Sequence, residues 1–86
     1  MNESELKKRF EVWSWLWKMN RKYIDLETKK MPDDDRQKLW HDLLDESESF
    51  MRENGIKPHT HNSELVKEFL FTMEKWEKEI NDNDNR

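Results

Sequence analysis

Apolar residues recur along this chain at intervals of three, four or seven positions, which is the spacing of one face of an α-helix. The first such stripe consists of Leu6, Phe10, Trp13, Trp17, Ile24 and Met31. Asn20 and Glu27, the two positions that would complete its heptads, are polar. Because this stretch lacks glycine and proline, and Asn2 and Glu5 have capping-box spacing, it predicts one continuous helix over about residues 4–30, roughly 40 Å long.

Residues that start and stop helices divide the rest of the chain. Pro32 followed by three aspartates predicts a helix start, because acidic side chains in a first turn favour the helix dipole. Gly55 suits the left-handed conformation that ends many helices, so the second helix is predicted over about residues 33–54. Asn62 or Ser63 is the expected cap of a third helix over about residues 63–80. The polar tail 81–86 is expected to fray.

Three amphipathic helices with short connections predict one all-α domain over residues 1–86, an antiparallel three-helix bundle with a long first helix. The third helix repeats apolar residues at intervals of 3, 4, 3 and 4 from Val66 to Ile80. A chain of 86 residues buries only about 60% of its unfolded surface, and without cysteine it has no disulfide to compensate. The residues expected to form the intrachain core are Trp40, Phe50, Phe69, Met73 and Trp76.

Three tryptophans fall within five residues of the first segment, in the sequence VWSWLW. On a helix, Trp13 and Trp17 share the heptad stripe, which predicts that they face the core. Trp15 lies roughly 160° away, so the apolar arc spans about 220° instead of the usual arc of a little over 100°. Neighbouring helices, a second copy of the chain, another protein or a membrane surface would each cover such an arc. The candidate interaction residues are Trp13, Trp15, Trp17, Met19 and Tyr23.

Charge is unevenly distributed along the chain, whose net charge is −4. Residues 1–30 hold eight Lys/Arg and five Asp/Glu, a net +3, which leaves −7 for residues 31–86. Opposed segments of this kind attract one another within a chain or between copies, which favours a homodimer. Acidic residues interrupt the basic positions of the first helix, which disfavours nucleic-acid binding, and the net-acidic remainder disfavours binding to a membrane surface.

Two groups of residues suggest chemistry. His59 and His61 could offer imidazoles to a metal, but the sequence designates no further ligands. Carboxylates at Asp42, Asp45, Glu46, Glu74 and Glu77 have a spacing loosely similar to that of some all-α nucleotide pyrophosphohydrolases, which implies a Mg²⁺-dependent hydrolase as one alternative. The heptad pattern instead points Glu74 and Glu77 outward, as solvated charges. We therefore expect no catalytic residue, metal, cofactor or small-molecule substrate.

The function that this pattern favours is that of a small, non-enzymatic protein–protein interaction module. We expect it to associate with itself through the first helix, and to act on a larger partner as an inhibitor or regulator of phage or mobile-element type. A metal-dependent hydrolase and a helical protein that binds nucleic acid or a membrane surface are the alternatives. A charged N-terminus and the lack of an apolar run near 18 residues predict a cytoplasmic location.

Overall fold

A computed structural model describes residues 1–82, except the side chain of residue 82, and this part of the chain is helical without any strand. Its helices are α1 (Glu3–Lys22), α2 (Asp25–Thr28), α3 (Asp33–Glu53) and α4 (His61–Asp82). The prediction of an all-α protein is therefore confirmed. Of the tail that was expected to fray, residues 81 and 82 continue α4, and residues 83–86 lie outside the described part.

The helix starts and stops read from the sequence are confirmed at three places. Asn2 Oδ1 accepts a hydrogen bond from the Glu5 backbone N–H at 2.9 Å, and the Glu5 carboxylate accepts one from the Asn2 N–H, which completes the capping box. Helix α3 begins directly after Pro32. It ends just before Gly55, whose φ of +64° is the left-handed conformation that glycine adopts at little cost.

Helix α4 begins earlier than its predicted cap. The Thr60 hydroxyl accepts a hydrogen bond from the Ser63 backbone N–H at 3.2 Å, and Ser63 Oγ in turn accepts one from the Thr60 N–H at 3.1 Å. Thr60 is thus the capping residue, and the prediction of Asn62 or Ser63 was wrong. Asn62 is buried instead. Its side-chain oxygen accepts a hydrogen bond from Arg9 Nε at 2.7 Å, and its side-chain amide donates one to the Glu5 carbonyl at 3.0 Å. These bonds tie the start of α4 to α1.

The first segment is not one long helix, and that prediction was wrong. Helix α1 ends at Lys22, and a turn at Tyr23 and Ile24 separates it from α2. The Asn20 amide donates a hydrogen bond to Glu27 Oε1 at 2.7 Å. This bond spans the turn and links the last turn of α1 to α2. The two polar positions that interrupt the heptad stripe therefore hold the turn together.

The core consists of two adjoining clusters. One comprises Met19, Tyr23, Leu26, Leu43 and Met73, and the other Val12, Leu16 and Val66. Contacts between α1 and α3 pair Lys8 with Asn54, Trp15 with Phe50, and Lys22 with Glu46. Later residues of α1 thus meet earlier residues of α3.

On α4, Met73 is buried as expected, but the predictions for Trp76 and Glu77 were wrong. Trp40, Phe50 and Phe69 are half-buried and pack against the clusters, but Trp76 is 47% exposed. Glu77 was expected to face solvent and is instead buried, where its carboxylate binds Arg36 Nε at 2.7 Å. This ion pair joins α3 to α4. Glu77 thus lies on the buried side of α4, where the sequence pattern had placed Trp76.

Candidate interaction surface

Five large apolar side chains lie exposed along one line of α1 and the turn that follows it. They are Leu6, Phe10, Trp13, Trp17 and Ile24, which we call the α1 strip. Their exposed fractions run from 38% at Ile24 to 78% at Phe10, and both tryptophans exceed 50%. Large exposed apolar patches on soluble proteins are commonly interaction sites, so the α1 strip is the candidate interaction surface.

The orientation predicted for Trp13 and Trp17 was wrong, because a different face of α1, roughly 100° away around the helix, enters the core. Buried residues Val12, Leu16, Met19, Tyr23 and Leu26 follow one another at intervals of 4, 3, 4 and 3. This series has no polar interruption, whereas the heptad stripe that contains the α1 strip and runs on to Met31 is interrupted at Asn20 and Glu27. The unbroken series was the signal in the sequence that distinguishes the buried face from the exposed one.

The five predicted interaction residues fall into two groups. Trp13 and Trp17 are exposed on the α1 strip, whereas Trp15, Met19 and Tyr23 make contacts within the chain. The Trp15 ring stacks on that of Phe50 with 4.3 Å between centroids and 12° between planes. Sequence reasoning did not include Leu6, Phe10 and Ile24 among the interaction residues, although all three belong to the same heptad stripe as Trp13 and Trp17.

A groove of about 360 Å³ continues the α1 strip towards α4. Its apolar walls are Trp13, Leu16 and Trp17 on one side and Leu65 and Phe69 on the other, with Asn20, Glu68 and Thr72 completing the lining. Trp76 follows Phe69 by seven residues, which places the two on the same side of α4. The apolar surface therefore extends from α1 across the groove to α4.

A cluster of polar side chains, centred on Glu46, contacts the core. Its carboxylate accepts a hydrogen bond from the buried Tyr23 hydroxyl, and Lys22 Nζ lies 2.9 Å from it and 5.5 Å from the centre of the Tyr23 ring. Burial, together with the bond to Glu46, raises the pKa of Tyr23. Burial alone would also raise the pKa of Glu46, but the hydrogen bonds from Tyr23 and Lys22 outweigh it and lower that pKa. This group fixes the end of α1 to α3.

Four of the five carboxylates considered for metal binding are paired with other groups of the chain, Glu46 as described above, and the fifth, Asp42, is exposed. Asp45 lies 3.3 Å from His41, Glu74 lies 2.9 Å from Lys78, and Glu77 is held by Arg36. His61 Nδ1 lies 3.4 Å from a Glu5 carboxylate oxygen, and His59 is exposed. Among the described residues, no group of three or more histidine and acidic side chains is arranged to hold a metal ion.

A second apolar groove, of about 430 Å³, lies between α3 and α4. It is lined by Trp40, Leu44, Leu70 and Phe71 together with charged residues of α4. Leu44 and Phe71 are at least half exposed. The second groove has two exposed apolar side chains, whereas the α1 strip has five. The second groove therefore serves as a comparison surface for the strip.

Comparison of the chain with protein families, with curated proteins and with solved structures found no match. Within residues 1–82, none of the helices combines the length and apolar character needed to cross a membrane.

Proposed function

We propose that this chain is a small, non-enzymatic interaction module that binds a second copy of itself through the α1 strip. The observation that carries the proposal is the line of five exposed apolar side chains on a chain that is 42% charged. Tryptophan is among the residues most enriched where binding energy concentrates, and the strip exposes two of them. The remaining α1 aromatic, Trp15, is already covered by Phe50.

The size of the chain also favours self-association. A short chain without disulfides has little core, and burying the strip against a partner would stabilise the fold by mass action. Each Å² of apolar surface removed from water contributes about 25 cal/mol. Trp13, Trp17 and Phe10 offer the largest rings for this purpose.

Within each copy, we propose that α1, α3 and α4 form an antiparallel three-helix bundle and that α2 closes the end at which α1 stops. The pairing of Lys8 with Asn54 and of Lys22 with Glu46 supports opposite directions for α1 and α3. The ion pair between Arg36, near the start of α3, and Glu77, near the end of α4, supports opposite directions for α3 and α4. In this arrangement the α1 strip lies on the face that α1 and α4 share.

Sedimentation equilibrium of three purified chains tests self-association. We expect the wild type to sediment at twice the chain mass of 10.8 kDa, and Trp13→Ser/Trp17→Ser to sediment as a monomer with an unchanged circular dichroism spectrum. Phe71→Ser, in the second groove and equally exposed, is the matched control and should stay dimeric.

A wild type that remains monomeric at about 1 mM, which corresponds to a very weak binding free energy of about −4 kcal/mol, would show that the strip does not bind a second copy. The same strip would then be examined as the docking surface for a larger protein that this chain inhibits or regulates. A cytoplasmic location and a phage or mobile-element origin stay predictions from the sequence.

A further inference from the structure

We propose that the two copies dock with their helices parallel, so that the α1 strip of each copy packs on α4 of the partner subunit. This inference rests on the proposed homodimer and specifies its geometry. The alternative geometry places α1 of one copy on α1 of the other. Charges on the two edges of the apolar surface distinguish the geometries.

The apolar surface is a single face built from α1 and α4 running side by side. Asn62, at the start of α4, bonds the Glu5 carbonyl near the start of α1. One turn later Val66 shares a core cluster with Val12 and Leu16. The two helices therefore run in the same direction, with the α1 strip on one half of the face and Leu65, Thr72 and Trp76 on the other.

The α1 edge of this face is basic. Lys7 and Lys18 each follow a residue of the α1 strip, and Arg21 lies one turn after Trp17. All three are exposed, and within the described residues they form no ion pair. Glu3, Glu11 and Asp25 also lie on this edge, but Glu11 pairs with Lys8 at 2.8 Å and Asp25 with Lys29 at 3.5 Å. The unpaired charge of the edge therefore remains net positive.

The α4 edge is acidic. Glu68 follows Leu65 by three residues and Glu79 follows Trp76 by three, so both lie on the solvent side of the apolar half. Both are exposed, and neither forms an ion pair with any described residue. Lys75 is a basic residue on this edge, but the edge as a whole remains net negative. The face thus presents unpaired positive charge along one side and unpaired negative charge along the other.

Two-fold symmetry converts this asymmetry into a preference between the two geometries. If the two-fold axis runs along the helices, α1 of each copy covers α4 of the partner subunit, and the basic edge meets the acidic edge twice. If the axis runs across the helices, α1 meets α1, and basic edges meet each other. Like charges brought together at an interface oppose association, and opposite charges favour it, so the parallel arrangement is selected.

The register of the parallel arrangement brings the charged groups within reach. Because Val66 lies level with Val12 and Leu16, a rotation about an axis along the helices places Glu68 of the partner subunit within about one helical turn of Lys18. The long lysine and arginine side chains span such an offset while their apolar stems lie along the rim of the strip. Trp17 then faces the apolar half of α4, next to Thr72 of the partner subunit.

Charge reversal tests the geometry. We expect Lys18→Glu/Arg21→Glu and Glu68→Lys/Glu79→Lys each to weaken homodimerisation by at least about tenfold, since each replaces attraction by repulsion at two symmetric places. An equimolar mixture of the two variants should form a heterodimer with a Kd within about threefold of the wild type, because every basic edge again meets an acidic one. The chain carrying all four substitutions should likewise recover its homodimer.

Several results would decide against the parallel geometry. If neither double variant weakens homodimerisation and their mixture binds more tightly than the wild type, α1 packs on α1, because each reversal then replaces one like-charge contact by another. If the mixture fails to restore binding, the two edges do not meet. Glu48→Lys/Glu53→Lys on α3 repeats the change in net charge away from this face and should leave the Kd within about threefold. A monomeric wild type would overturn the proposed function itself, a result distinguishable from all of these.

Discussion

Trp13, Trp15 and Trp17 are close in sequence but occupy different environments, and the difference follows from what lies opposite each ring. Trp15 faces α3, where Phe50 offers a parallel ring at 4.3 Å. Trp13 and Trp17 face away from α3 and border the groove beside α4. An aromatic pair adds about 0.5–1.5 kcal/mol beyond the burial of its surface, so Trp15 is a residue of the fold and the other two are residues of the surface.

Replacing Trp15 should therefore destabilise the chain, and replacing Trp17 should not. We expect Trp15→Ala to lower the free energy of unfolding by about 3 kcal/mol, through lost burial and a residual cavity beside Phe50. Trp17→Ala, at a site that is 64% exposed, should change it by less than about 1 kcal/mol. Urea unfolding of both variants, at a concentration where sedimentation shows the wild type to be monomeric, measures the two values. Equal losses for the two variants would contradict the assignment of the rings to core and surface.

The Tyr23–Glu46 pair should make stability depend on pH at both ends of the range. The pKa of Glu46 is lowered by folding, so its contribution is present above the usual value near 4.5 and is lost as the pH falls through the folded value. The pKa of Tyr23 is raised, so its contribution is present below the usual value of 10.0 and is lost as the pH rises above it.

Tyr23→Phe isolates this pair, because it removes the hydroxyl and keeps the buried ring. We expect it to cost about 1 kcal/mol at pH 7, since Glu46 keeps Lys22 and some contact with water. Its unfolding free energy should decline less than that of the wild type between pH 10 and pH 12. Identical alkaline profiles, measured by urea unfolding, would show that the hydrogen bond to Glu46 contributes nothing.

At the scale of the elements, the end of α3 depends on the backbone conformation of Gly55. A Cβ added there would meet no atom within 4 Å, so only its φ of +64° resists a side chain. We expect Gly55→Ala to lower the free energy of unfolding by about 1 kcal/mol, and Gly55→Asn to lower it by less because asparagine tolerates this conformation. Thermal unfolding of the two variants checks the order. Equal stability for alanine and glycine would contradict a left-handed cap.

Helix ends were predictable from the sequence because they depend on a few adjacent residues. Asn2 with Glu5, Pro32 with its aspartates, and Gly55 all act locally, and each has its expected role. The break after Lys22 was missed because neither glycine nor proline marks it. The Asn20–Glu27 bond spans the break, and a bond between residues seven apart is not a local stop signal.

The face of α1 that enters the core was harder to predict because both faces are apolar. The sequence places large aromatic rings on one face, and volume alone favours burying them. The core instead takes Val12, Leu16 and Met19, whose series continues through Tyr23 and across the turn. This continuous series is the buried face, and its residues belong to both core clusters. The candidate surface was consequently predicted only at Trp13 and Trp17.

At the scale of the whole molecule, the described part is elongated, with extents of 48 × 20 × 20 Å. A body only 20 Å across exposes much of each helix, and within the described residues the side chains of the α1 strip remain exposed. The second apolar groove lies between α3 and α4, whereas the strip borders α4 from the other side. Covering the strip with a second copy would roughly double the narrow dimension and leave the second groove accessible.

Self-association of this kind should make thermal stability depend on concentration. Only the folded chain presents the strip, so the dimer stabilises it by mass action, and a hundredfold rise in concentration should add about 1.4 kcal/mol per chain. For a chain of this size that corresponds to a rise in Tm of about 5–10 °C between 5 and 500 μM. Trp13→Ser/Trp17→Ser should keep one Tm over the same range, while Phe71→Ser should follow the wild type. A wild-type Tm independent of concentration over this range, measured by scanning calorimetry, would show that folding and association are not linked through the α1 strip.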